Sequence, residues 1–165
     1  MRIVSSSIFG REALVWHYLR HPNVVPFLGV DFTTLSSPLR AMVSPWMPLG
    51  NVVVYVGQHS PVFTYALDII NDVIQGLKYL HSKSVVHGDL CGRNILIDKD
   101  GRACLSDFGL AVFIDSETKS SSAHGGSLRW MAPELVQIGV PFKRTTASDV
   151  WAFGCVCGEV CCWFF

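Results

Sequence analysis

Residues 86–94 read Val86-His87-Gly88-Asp89-Leu90-Cys91-Gly92-Arg93-Asn94, and the chain later reaches Asp107-Phe108-Gly109 and then Ala132-Pro133-Glu134. An aspartate is thus followed by an amide at +5 and by a second carboxylate at +18. A lone aspartate in a turn is ordinarily a solvated or capping group. Three short strings in one order are another matter, because together they supply one carboxylate to orient an attacking group and separate hard oxygen ligands for a hard cation.

Upstream, Gly10 to Arg20 place Ala13, Leu14, Trp16, Tyr18 and Leu19 around a short helix that His21-Pro22-Asn23 ends. Val24 to Val30 and Leu39 to Ser44 read as two strands. A second helix begins between Ser60 and Thr64 and carries Ala66, Ile69, Ile70, Val73, Leu77 and Leu80 at helical spacing. Gly76 inside it costs ~1 kcal/mol against alanine, which predicts close packing there. Short strands are expected at Ile95–Ile97 and Ala103–Ser106, joined by the turn Asp98-Lys99-Asp100-Gly101 and framing the loop of residues 86–94. The polar stretch Ser116 to Ser127 reads as a loop, and a last helix runs from about Thr146 to the end.

Half of the 165 residues are hydrophobic and 16% are charged, which suits the buried heart of a larger domain. Lys plus Arg equals Asp plus Glu at 13 each, so a nucleic-acid partner has no electrostatic footprint. The run from Val150 is shorter than the ~20 residues a membrane span needs and contains Glu159, so it reads as a core helix. Six cysteines without a C-x-x-C pair or an apolar leader point to reduced thiols and a cytoplasmic setting. Cys157 and Cys161 stand four apart, and buried free thiols are favoured there over a metal pair.

In this order the three strings resemble the core of eukaryotic-type protein kinases, within the tyrosine-kinase-like and Ser/Thr group. The resemblance runs from the helix carrying Glu12, through His-Pro-Asn-Val-Val-Pro-Phe-Leu-Gly, to Ser148-Asp149-Val150-Trp151. It implies an α+β protein-kinase-like fold, truncated, with residues 1–165 forming a partial kinase domain. About 1–46 would be a remnant of the smaller lobe and 47–165 a mainly helical portion of the larger lobe, incomplete at its C-terminus.

The implied activity is transfer of the γ-phosphate of ATP, with Mg2+, to a protein hydroxyl. By the resemblance Asp89 orients the acceptor, and Asn94 and Asp107 hold the metal. Ser44, the Pro45 carbonyl and the Met47 backbone meet adenine, and Glu12 pairs with a phosphate-orienting lysine. His87 is then structural, Phe108 packs behind the helix of Glu12, and Asp149 accepts hydrogen bonds from the catalytic-loop backbone. Ser127 and the Trp-Met-Ala-Pro-Glu string lean to Ser/Thr acceptors, whereas Cys91 at +2 and Arg93 at +4 lean to Tyr.

The chain departs from the pattern in three places. No G-x-G-x-x-G occurs anywhere and no V-A-x-K precedes the first helix, so Glu12 is expected to lack its lysine. Gly88 stands where most such enzymes carry an arginine that clamps a phosphorylated loop. Glu134 is expected to be unpaired. A non-catalytic protein-binding module, a pseudokinase or fragment, is therefore the alternative to an enzyme. It would recruit a partner to cover apolar faces expected at Val156, Val160 and Trp163.

Overall fold

The computed structural model describes residues 6–32, 40–59, 63–114, 127–137 and 142–161. Its centre is the helix α3 (Phe63–Ser82), whose Ala66, Ile69, Val73, Leu77 and Leu80 are all buried along one stripe, as the spacing predicts. Each of the larger side chains, Ile69, Val73, Leu77 and Leu80, contributes roughly 1.5–3 kcal/mol by leaving water. Gly76 lies in the same stripe. A Cβ there would sit 2.7 Å from the Asn23 carbonyl and 3.1 Å from Leu105, so the glycine admits a neighbouring backbone that alanine would push away.

That neighbour belongs to the hairpin of β4 (Ile95–Ile97) and β5 (Ala103–Leu105), antiparallel with Ile95 opposite Leu105 and Ile97 opposite Ala103. The Asp98 carboxylate closes its turn by accepting from the N–H groups of Asp100 and Arg102. The hairpin does not enclose the loop of residues 87–94, which precedes β4.

The expected strand from Val24 to Val30 divides. Val24 makes a single parallel bridge to Leu105, while the strand proper, β1 (Gly29–Asp31), begins later and pairs with β2 (Ala41–Val43). Pro26 between them has no N–H to give to a ladder. The first helix, α1 (Ser6–Tyr18), starts earlier than expected and buries Phe9, Glu12, Val15 and Trp16, with Leu19 just beyond it. Leu14 and Tyr18 point outward. The helix α2 (Val52–His59) arises from Val-Val-Val-Tyr-Val, a string that favours a strand. What turns it is Asn51, whose Oδ1 accepts the Val54 N–H at 3.1 Å as an N-cap, while Val52 and Val56 bury one turn apart.

The helix α4 (Thr146–Cys161) opens on a reciprocal cap: Thr145 Oγ1 accepts the Ser148 N–H and Ser148 Oγ accepts the Thr145 N–H. Val156 and Val160 are each 1% exposed, which overturns the expectation that their faces stand uncovered. They belong to the same core as α2 and α3. The outward face carries Val150, Trp151, Gly154, Gly158 and Cys161 instead, and Trp163 lies outside the described residues. Cys161 is exposed and Cys157 half-buried, so buried thiols are found at Cys91 and Cys104 rather than there. Most of the Ser116 to Ser127 loop also lies outside the described residues. Among those described, no helix is long and apolar enough to cross a membrane.

Candidate active site

Two loops converge because their stems are paired. The strand β3 (Val85–Val86) precedes the loop of residues 87–94 and pairs antiparallel with β6 (Val112–Phe113), which follows the Asp107 segment. At their other ends the same two segments run into β4 and out of β5. The loops carrying Asp89 and Asp107 are therefore held between the same two strand pairs, although the two residues lie 18 positions apart.

Asp149, 1% exposed at the start of α4, holds the first loop from below. Its Oδ2 accepts the His87 N–H at 2.8 Å and its Oδ1 accepts the Gly88 N–H at 2.9 Å, while His81 Nε2 lies 2.9 Å from Oδ2. The fully buried His87 ring spans both loops. Its Nδ1 accepts the Asp89 N–H at 3.3 Å, so its proton lies on Nε2, which donates to the Ser106 carbonyl at 3.1 Å. Phe108 is buried between His87 and Trp16, with ring centroids at 5.4 and 5.8 Å, as the resemblance implied.

Asp89 Oδ1 accepts the Ser127 N–H at 3.0 Å. Asn94 Nδ2 donates to the Asp89 carbonyl at 2.8 Å and to its Oδ2 at 3.3 Å. The Asn94 carbonyl in turn accepts the N–H and Oγ–H of Ser106, both at 2.9 Å, and Ser106 is the residue before Asp107. One bonded chain thus runs from Asp89 through Asn94 to the neighbour of Asp107. Asp107 sits at φ +59, a left-handed conformation that costs an L-residue of order 1–2 kcal/mol.

Glu12 reaches this segment from α1. Its Oε2 would stand 3.1 Å from a Cβ at Gly109, so a larger residue there would make the carboxylate give by a few tenths of an ångström. Glu12 is buried and engaged there. Ser44, Pro45 and Met47 stand apart, in the connection from β2 to α2. Met47 buries its side chain in the core and its carbonyl accepts the Gly50 N–H at 3.2 Å. The Gly50 carbonyl accepts the Ile97 N–H, which ties this connection to the strand after Asn94. Glu134 is exposed.

Two groups escaped sequence reasoning. Glu159 Oε2 accepts both the Gly92 N–H at 2.9 Å and the Trp130 indole N–H at 2.8 Å, joining the loop of residues 87–94 to the turn at Leu128–Trp130. Its signal was present, the one acid in the apolar run that follows Asp149 in α4. Arg144 is buried, and its Nε donates to the Gly88 carbonyl at 2.9 Å. Burial lowers its pKa from the usual value, against the opposing pull of Asp89 and Asp149.

Among the described residues no three His, Cys, Asp or Glu side chains gather as a metal cage. Magnesium needs none, because it typically takes one or two protein oxygens and completes its shell with phosphate and water. The donor set fits that habit. Asn94 spends its Nδ2 on Asp89, which leaves the amide oxygen, the atom a hard cation takes, and Asp107 supplies a carboxylate.

The chain is 36% identical over 159 residues to ephrin type-B receptor 2 of Gallus gallus, covering 92% of this chain and 15% of that protein. It is 36% identical over 145 residues to the tyrosine-protein kinase csk-1 of Caenorhabditis elegans, covering 86% and 26%. To mitogen-activated protein kinase kinase kinase A of Dictyostelium discoideum it is 32% identical over 156 residues, covering 92% and 16%. The chain thus spans about a quarter or less of the length of these relatives. Residues 4–163 match the family described as protein tyrosine and serine/threonine kinase, and with a mixed helix-and-strand fold built around those three strings, the chain belongs to that family.

Proposed function

We propose that this chain carries the phosphoryl-transfer centre of a protein kinase that takes ATP and a protein substrate. The observation that carries the reading is the bonded chain from Asp89 through Asn94 and Ser106 to Asp107. Asp89, held by the Ser127 N–H and Asn94, orients the acceptor hydroxyl and takes its proton late in transfer. Asn94 and Asp107 present their oxygens to Mg2+, which when bound neutralises charge on the phosphates. Glu12 lies where it would hold a phosphate-orienting cation, and the backbone of Pro45 and Met47, with Ser44 beside it, would face adenine. Arg93 Nη2 donates to Ser127 Oγ at 3.2 Å, so the two residues that lean toward opposite acceptors share one bond. We favour Ser/Thr. Free thiols at every described cysteine support a reducing, cytoplasmic setting.

The test is magnesium-dependent ATP binding by calorimetry. Asp107→Ala is expected to weaken it at least tenfold, a loss of ~1.4 kcal/mol. Equal binding by wild type and Asp107→Ala would overturn the assignment. A non-catalytic reading draws on the missing glycine-rich string and on the exposed Val150 and Trp151. It gains if neither protein binds ATP.

A further inference from the structure

We propose that Arg144 is a positioning residue for Asp89, fixing the peptide that leads into it from the position that a side chain at residue 88 would otherwise fill. The inference rests on the kinase reading for what Asp89 does, and on geometry alone for how Asp89 is held.

Gly88 has φ +77, a left-handed conformation. A Cβ added there would lie 2.5 Å from Arg144 Cδ, 3.3 Å from its Nε and 2.7 Å from the Leu110 carbonyl. Residue 88 and the Arg144 side chain thus compete for one volume, and this sequence awards it to Arg144. The peptide is pinned on both sides: the Gly88 N–H is donated to Asp149 Oδ1 at 2.9 Å, and the Gly88 carbonyl accepts Arg144 Nε at 2.9 Å. Both anchors come from one place, the first turn of α4 and the two residues before it, so the peptide entering Asp89 is referred to a single rigid element.

Arg144 is suited to this task. It is buried, its guanidinium lies 4.8 Å from the Phe142 ring centroid, and it lines one cavity with Gly88, Asp89, Ser127 and Asp149. A cation withdrawn from water is costly unless opposite charge and acceptors offset it, and here Asp89 and Asp149 act on it while the Gly88 carbonyl accepts its Nε–H. Glycine has the widest conformational freedom of any residue, so without this bond the step before Asp89 would be held less tightly. A lysine would keep the charge but not the Nε–H that bonds the carbonyl.

Amide hydrogen exchange on the full 165-residue chain tests this without requiring turnover. Arg144→Met is expected to speed exchange at His87, Gly88 and Asp89 at least about tenfold, while Leu105, bonded to the Asn23 carbonyl in β5, changes less than about twofold. Arg144→Lys should fall between. Should the methionine variant not fold, the lysine variant decides by the same local-against-remote comparison. Uniform acceleration at all sites, or none at residues 87–89, would overturn the proposal. In a parallel Mg-ATP and peptide assay, wherever wild type turns over, Arg144→Met should lower kcat with little change in KM for ATP. A wild-type chain without turnover counts against catalysis by this chain, and exchange still settles the role of Arg144.

Discussion

Glu159 accepts the backbone N–H of Gly92 at 2.9 Å with the same oxygen, Oε2, that accepts the Trp130 indole at 2.8 Å. Gly92 is needed for this approach, since a Cβ there would lie 2.9 Å from that oxygen and 2.7 Å from Val53. Glu159→Ala leaves two donors without their acceptor and is expected to destabilise the chain by roughly 1.5–3 kcal/mol. Glu159→Gln, which keeps one acceptor, should cost less. Urea midpoints for the two variants check the order.

Asp149→Asn is the harsher change. An amide cannot accept from His87 and Gly88 with both of its atoms, so one buried N–H faces another, and ~2–4 kcal/mol is the expected loss. His81→Phe removes a partly exposed partner of the same carboxylate and should cost about 1 kcal/mol or less. Similar destabilisation by both would show that Asp149 acts mainly through His81.

Gly88→Ala meets the Leu110 carbonyl and Arg144 together and must hold φ +77. The expected penalty is about 1–3 kcal/mol, read from thermal or urea unfolding. A neutral result would mean that the loop adopts another conformation in solution.

The sequence has neither G-x-G-x-x-G nor V-A-x-K, so the chain assayed alone is expected to transfer phosphate slowly or not at all. Robust labelling of a peptide mixture by radioactive ATP, lost on Asp89→Asn, would refute that.

Thiol chemistry gives an independent check on burial. Burial pushes the Cys104 thiol up to about 11, with Asp98 and Asp72 adding to the shift, so at pH 8 almost none of it is thiolate. Cys161 is exposed. Brief maleimide treatment followed by mass spectrometry should label Cys161 well before Cys104. Because the folded-state value is raised, Cys104 favours the fold below its ordinary value of 9.0 and loses that contribution as pH rises toward 11.

The parts most legible from the letters were those whose spacing is fixed by the backbone. The α3 stripe, the β4–β5 hairpin and the packing of Phe108 followed from periodicity, turn residues and resemblance. The connection at α2 was harder, because Val-Val-Val-Tyr-Val favours a strand and only the single cap from Asn51 argues otherwise. Pro26 divided a strand that its neighbours favoured. Arg144 was illegible for a different reason. Its bond is to a backbone carbonyl 56 residues away, and no pattern in the letters marks a carbonyl as needing a donor.

The two carboxylates that grip the loop of residues 87–94, Asp149 at Gly88 and Glu159 at Gly92, sit ten residues apart on one continuous helix. At 1.5 Å per residue that helix works as a gauge about 15 Å long, against which the loop is cut to length. A gauge of this kind tolerates changes of side chain along its outer face but not a change in its count. One residue added or lost between the two would swing the second carboxylate about 100° around the axis, away from the loop it measures. Along this stretch, the number of residues matters more than their identity.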